Sequence, residues 1–249
     1  MKPLAGQSVL LTRTAEDCAQ WARELDAVDA TAVILPCIRC ESLDTEEVRE
    51  LIAIELPRTD WLVFTSRRGV EAFCALYDAS FDKSPLPEQV KVAAVGAATA
   101  DAAVVRFGHA DLVSEQGTAA SLAQALDARL TDPGARLLIA VAENAGRTLE
   151  DVLEPAGAIC TRLDVYRTVP AREIEPKHAL SALGADNIFL ASPSAVTGFT
   201  NQVELDRPAA VFTIGPATYD AAEAAGLTVT GQARRPSLEG LMEAMRCAS

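Results

Sequence analysis

Aromatic side chains are scarce in this chain, at 5% of its 249 residues. A core must therefore be built from Ala, Val, Leu and Ile, which are plentiful. Lysine is nearly missing: Lys2, Lys83, Lys91 and Lys177 are all there are, and arginine supplies the rest of the 22 basic residues. Against 35 acidic residues they leave a net charge of −13, which argues against nucleic acid, whose phosphates need clustered cations, and against an anionic membrane surface. A small anionic ligand stays open, because local field outweighs net charge and arginine grips carboxylates in a bidentate fork. No apolar run approaches the ~18 residues of a membrane helix. The N-terminus MKPLAGQSVLLTR lacks a signal peptide's apolar core and cleavage site, so the expected localisation is cytoplasmic.

Histidine is limited to His109 and His178, and the six cysteines (18, 37, 40, 74, 160, 247) form a single C-x-x-C, Cys37 and Cys40. That pair lies within the extended-looking ATAVILPCIRCESL, where a redox motif should instead open a helix. No second Cys or His pair completes a zinc site, so no metal is expected. Nucleotide motifs of the G-x-G-x-x-G and G-x-x-x-x-G-K-[ST] type are missing, as is G-x-S-x-G, so no cofactor is expected either.

What the chain has is alternation and repetition. Short apolar runs at Val9–Thr12, Ala32–Leu35, Trp61–Phe64, Val92–Val95, Leu137–Val141, Ile188–Leu190 and Val211–Ile214 read as buried parallel strands. Helical patterns such as Glu16–Leu25 and Gly69–Leu76 lie between them, and His178 is placed at the start of a surface helix. Strands alternating with helices predict parallel sheets covered on both faces.

Four blocks occur twice in the same order. Gly96, Thr99 and Asp101 fall on Gly215, Thr218 and Asp220 at a separation of 119. Ser66, Val70 and Phe73 fall on Ser192, Val196 and Phe199 at 126, the difference of seven being read as a longer loop around Asp78–Gln89. Arg39 falls on Arg167 at 128. Two α/β lobes follow, with the working site expected in the cleft between them. Sequential and interleaved pairings both fit. The long extended stretches Thr31–Leu43, with Pro36 as a break, and Ile159–Val169 lean toward interleaving, because a strand that leaves one lobe for the other must be long.

Ligands of open α/β sheets gather where helices start at the carboxyl ends of strands. Candidates there are Thr12-Arg13-Thr14, Thr65-Ser66-Arg67-Arg68-Gly69, Gly96-Ala97-Ala98-Thr99, Ser192-Pro193-Ser194 and Gly215-Pro216-Ala217-Thr218. The plain alternative is that the hydroxyls are N-caps and the glycines serve turn geometry. No carboxylate pair has diagnostic spacing. Tyr166, in DVYRT, is the side chain best placed to donate a proton to a leaving oxygen, against the alternative of a packed, hydrogen-bonded phenol.

VLLTR, DWLVFTSRRGVEAF, VYRT, FLASPSAV and IGPATYDAAEAAGL, with the duplication, resemble the uroporphyrinogen-III synthase family over nearly the whole chain. The resemblance implies two flavodoxin-like parallel-sheet lobes, interleaved and joined by a two-stranded connection. One lobe would comprise residues 1–37 plus 169–249 and the other 41–165, with connecting strands near 36–42 and 163–169. It implies an enzyme, a lyase that closes hydroxymethylbilane into uroporphyrinogen III with inversion of ring D and loss of water, in tetrapyrrole (haem, sirohaem) synthesis. The implied enzyme is a monomer whose one partner is its small-molecule substrate, and it uses no cofactor. On this chain Tyr166 and Thr218 take the catalytic positions. Arg13, Thr65, Ser66, Arg67, Gly96, Thr99, Ser192, Ser194 and Gly215 are expected to hold the substrate. The chain departs from the family where members read T-R-P and this one Thr12-Arg13-Thr14, and where G-P-T-T becomes Gly215-Pro216-Ala217-Thr218. The rival reading is a non-catalytic two-lobed protein that binds a small anion or regulates.

Overall fold

The computed structural model describes residues 4–82, 84–130 and 133–248. Its elements run β1 (Ser8–Leu11), α1 (Ala15–Asp26), β2 (Thr31–Ile34), β3 (Ile38–Ser42), α2 (Glu46–Glu55), β4 (Trp61–Phe64), α3 (Arg67–Phe81), β5 (Lys91–Ala94), α4 (Ala97–Phe107), β6 (Leu112–Val113), α5 (Ala119–Asp127), β7 (Arg136–Ala142), α6 (Thr148–Leu153) and β8 (Ile159–Pro170). Then follow β9 (His178–Ala179), α7 (Leu180–Leu183), β10 (Asn187–Leu190), α8 (Pro193–Gln202), β11 (Val203–Glu204), β12 (Ala210–Thr213), α9 (Pro216–Ala224), β13 (Val229–Gln232) and α10 (Leu238–Ala248).

The chain forms two compact units, one of Met1–Cys40 with Thr168–Ser249 and one of Glu41–Arg167. It passes from the first to the second within β3 and returns within β8. The first unit holds a five-stranded parallel sheet, β13-β12-β10-β1-β2. In chain order this is 2-1-3-4-5, the flavodoxin-like arrangement. In the second unit β8-β7-β4-β5-β6 are parallel, with β3 beyond β8. Counted from β7 the order is again 2-1-3-4-5, so the second unit is the same sheet entered at its third strand.

Both sheets bury both faces, which is why their strands read as unbroken apolar runs. On β4, Leu62 and Phe64 join one cluster with Phe73 and Leu138, while Trp61 and Val63 join another with Leu122 and Ile139. On β1, Val9 and Leu11 pack with Phe189 and Phe212, and Leu10 with Ile188 and Phe199. The few aromatics concentrate there: the Phe64 ring meets Phe73 edge-on at 5.6 Å and stacks on Phe107 at 6.0 Å.

Three expectations need correction. The seven extra residues of the first copy are mostly helix, since α3 has 15 residues and α8 has 10; Lys83 lies outside the described residues. His178 does not start a helix but sits in a two-residue strand paired with β11, because the next helix opens at Leu180. The edge strands β6 and β13 escaped the sequence reading because they are short and partly exposed, and β13 contains Gly231.

One approach in the first unit tolerates no side chain. A Cβ on Gly198 of α8 would lie 1.7 Å from the Cys37 carbonyl oxygen and 2.9 Å from the Ala171 nitrogen, two groups that are themselves hydrogen-bonded at 2.7 Å. Gly215 has nothing within 4 Å of the same position and an extended φ of 178°. Denaturant titration should show Gly198→Ala losing about 3 kcal/mol or more, the upper range of overpacking. Gly215→Ala should stay within about 0.5 kcal/mol of the parent, as an uncrowded surface change does. Equal losses at both positions would contradict the packing described.

Candidate functional site

In the first unit three adjacent strands, β12, β10 and β1, end in Gly215, Ser192 and Thr12-Arg13-Thr14. In the second unit adjacent β4 and β5 end in Thr65-Ser66 and Gly96, beside β7. The sequence-predicted residues thus form two groups. Arg13, Ser192, Ser194, Gly215 and Thr218 belong to the first unit, and Thr65, Ser66, Arg67, Gly96, Thr99 and Tyr166 to the second.

Within each group the hydroxyls and the glycines behave differently. Ser66 Oγ accepts the Gly69 N–H at 2.9 Å, Ser192 Oγ the Ala195 N–H at 3.1 Å and Thr14 Oγ1 the Asp17 N–H at 3.4 Å. These are N-caps, each satisfying one amide of a first turn. Gly96 and Gly215 begin α4 and α9 with no side-chain cap. Neither needs glycine for its backbone, since φ is −179° at one and 178° at the other. The turn-geometry reading of the two glycines is thereby corrected. What they provide is an amino terminus with no capping side chain over its first N–H groups. Serine caps one helix and glycine opens the next in both units, as the 126 and 119 separations require.

Thr99 and Thr218 stand at the third position of α4 and α9, and both are buried. The two arginines expected to bind anions are already engaged along their own helices. Arg13 bonds Asp17 at 3.0 Å and lies over the Trp21 ring at 4.9 Å. Arg67 meets Glu71 at 3.3 Å, with both side chains about half exposed. The exposed Arg67–Glu71 pair contributes about 0–1 kcal/mol, whereas Arg13–Asp17 is part-buried and made through both Nε and Nη2.

Tyr166 and Ser66 are brought together, although 100 residues separate them. The phenol oxygen lies 3.1 Å from Ser66 Oγ, and either can be the donor. Ser66 Oγ, which accepts from Gly69, can still donate to the phenol oxygen or accept from it. The ring packs against the Phe64–Phe73 cluster.

Sequence reasoning missed Arg162. Its guanidinium donates to the Ala142 carbonyl at 2.9 Å, the Glu143 carbonyl at 3.3 Å and Asp164 Oδ1 at 2.8 Å. It also reaches Glu150 Oε1 at 3.4 Å, a carboxylate almost wholly buried. The only available signal was an arginine in the extended stretch, two residues before Asp164 and on the same face of the strand.

Cys37 of the C-x-x-C is fully buried, and burial pushes its thiol up to about 12. Burial likewise raises Cys74 to about 12 and Cys18 and Cys160 to about 11. Among the described residues no group of three or more His, Cys, Asp and Glu side chains could hold a metal ion. Nor is any described helix long and apolar enough to cross a membrane.

A family model described as "Uroporphyrinogen-III synthase HemD" matches residues 19–243. The chain is 26% identical over 245 residues to the chloroplastic uroporphyrinogen-III synthase of Oryza sativa subsp. japonica, covering 95% of this chain and 79% of that one. It is 28% identical over 192 residues to the uroporphyrinogen-III synthase of Synechococcus elongatus, covering 77% and 71%. Among solved structures, uroporphyrinogen-III synthetase from Helicobacter pylori has the same fold at a TM-score of 0.58 and 17% identity, covering 98% of this chain and 99% of that one. A mutant uroporphyrinogen III synthase from the extremely thermophilic bacterium Thermus thermophilus aligns at 0.53 and 17%, covering 98% of each chain.

The thiol environments predict an order of reactivity, because the thiolate is the reacting form. A thiol reagent at pH 8 should label exposed Cys247 first and half-buried Cys40 more slowly. Cys74 and Cys160, partly accessible but with their thiols raised by burial, should follow more slowly still, and buried Cys18 and Cys37 should stay silent until the chain is unfolded. Early labelling of Cys37, read by mass spectrometry, would revive a redox role for the C-x-x-C.

Proposed function

We propose, for a chain that belongs to the uroporphyrinogen-III synthase family of tetrapyrrole-forming lyases, that it closes linear hydroxymethylbilane into uroporphyrinogen III with inversion of ring D and loss of water. The observation that carries this reading is the Tyr166–Ser66 pair at 3.1 Å beside the amino end of α3. It places a phenolic donor next to helix termini that suit a polycarboxylate.

The chemistry asks for little acid–base machinery. An electron-rich pyrrole expels the hydroxyl group of the hydroxymethyl arm, and the C–O bond breaks as a proton reaches the departing oxygen to form water. Tyr166 hydrogen-bonds that oxygen, with Ser66 holding the phenol in place. The rest of the work is folding a flexible chain so that the ring D carbon is attacked in the right sense, through a spiro intermediate. That is a matter of orientation, worth several powers of ten when the reacting atoms are aligned. Acetate and propionate arms seat on the open amino ends of α4 at Gly96 and α9 at Gly215, with Thr99 and Thr218 one turn in. Thr65 and Ser194 add hydroxyls at the same strand ends, and Ser192 its amide-capped turn. Arg13 and Arg67 exchange Asp17 and Glu71 for substrate carboxylates. The lobes assigned to residues 1–37 plus 169–249 and to 41–165, a monomeric state, a cytoplasmic location and action without a cofactor complete the proposal.

The assay supplies hydroxymethylbilane and separates isomers I and III. Isomer III should dominate with the parent chain. Isomer I alone, the spontaneous product, would return the protein to the rival reading of an anion binder. Tyr166→Phe should lower kcat by roughly a hundredfold, the low end for a lost general acid. Its stability should fall by no more than about 1 kcal/mol, the worth of one hydrogen bond. An unchanged kcat would remove Tyr166 from the mechanism.

A further inference from the structure

Side chains alternate along a strand. Cys160, Arg162 and Asp164 therefore share one face of β8, and Leu163 and Val165 the other, where both are buried with Phe64 and Phe73. Strict alternation assigns Tyr166 to the Arg162 face. Instead the ring packs on the Phe64–Phe73 cluster and meets Ser66. The pairing of β7 with β8 accounts for this. The strands run in step from Arg136 opposite Ile159 to Val141 opposite Asp164, and then Ala142 pairs with Tyr166, leaving Val165 as an extra residue. Such bulges re-aim side chains and are rare between parallel strands.

A slip in register releases backbone groups from the ladder, and released carbonyls need another donor. Arg162 is such a donor, beside the Ala145 N–H that also bonds the Ala142 carbonyl at 2.9 Å. Its Nη2 holds the carbonyls of Ala142, the first β7 residue after the slip, and of Glu143, just past the end of β7. The same two residues hold Tyr166, since Ala142 is its strand partner and the Glu143 N–H donates to the Tyr166 carbonyl at 2.8 Å. Nε and Nη1 are anchored on Asp164 and on the buried Glu150 of α6. The fork is thus fixed at its back and presents one edge to the slip, which the single ammonium of a lysine cannot do.

We propose that Arg162 is the positioning residue for Tyr166: its guanidinium holds the slipped β7–β8 register and so keeps the phenol directed at Ser66. This rests on the role of Tyr166 given above. Arg162→Met alone would strand the buried Glu150 charge, so the informative variant is Arg162→Met with Glu150→Met, alongside Arg162→Lys. Both are assayed as purified full-length chains with hydroxymethylbilane, and the Tyr166 ring signal, assigned by its loss in Tyr166→Phe, is followed by NMR. The paired variant should stay folded and keep KM within about twofold while kcat falls between about tenfold and a hundredfold, the cost of a small misplacement. The Tyr166 ring signal should shift, and Arg162→Lys should resemble the paired variant. In a Tyr166→Phe background the paired change should cost less than about twofold more, since coupled residues do not add. Fully multiplicative losses, an unmoved ring signal or complete rescue by lysine would each overturn the proposal. A silent Tyr166→Phe with a displaced ring signal would sink the chemical role of Tyr166 and leave the coupling standing.

Discussion

Everything at the candidate site depends on one constraint: a parallel sheet has to be covered on both faces. Strands that run the same way cannot be joined by hairpins, so each connection climbs over a face as a helix. The apolar runs of β4 and β1, with alternate residues in separate clusters, are the side-chain record of that requirement. Its geometric result is that every helix after a strand starts at the same edge of its sheet. Amino termini, dipoles and small polar residues collect there without any residue having been chosen for binding. Binding character is then a matter of which termini are closed by a hydroxyl and which are left open by a glycine.

The duplication makes that distinction readable. Ser66 and Ser192 close corresponding helices, and Gly96 and Gly215 leave the next ones open. A cap supports stability whether or not a ligand exists. A glycine cap starts the helix without a side chain over its first turn, and it does so at both equivalent positions.

Much of this was legible before any coordinates, because buried strands announce themselves by continuous Val, Leu and Ile, and the repeat fixes corresponding turns. The rest was illegible for identifiable reasons. β13 alternates partly buried and exposed positions, none fully buried, and carries Gly231, so no run appears. The Arg13–Asp17 pair is an ordinary i,i+4 contact, which sequence permits but cannot set against an anion-binding role. The meeting of Tyr166 with Ser66 spans 100 residues and needs a one-residue slip that alternation forbids. A period of two, read faithfully, puts the phenol on the wrong face. The informative failure of the simple rule therefore falls on the residue to which chemistry is assigned.

The path of the chain through its two units has a consequence for how the protein comes to be made. Glu41–Arg167 is one continuous stretch, so the second unit has all its strands once that stretch has been synthesised. The first unit is in a different position. β1 and β2 are made before the second unit, yet β10, the strand that flanks β1 on its other side, comes some 180 residues later in the chain, with β12 and β13 after it. Val9, Leu10 and Leu11, which end with no exposed surface at all, must wait through the synthesis of the whole second unit before their cover exists. In a chain translated from its N-terminus, the sheet that is started before the second unit is closed only after it.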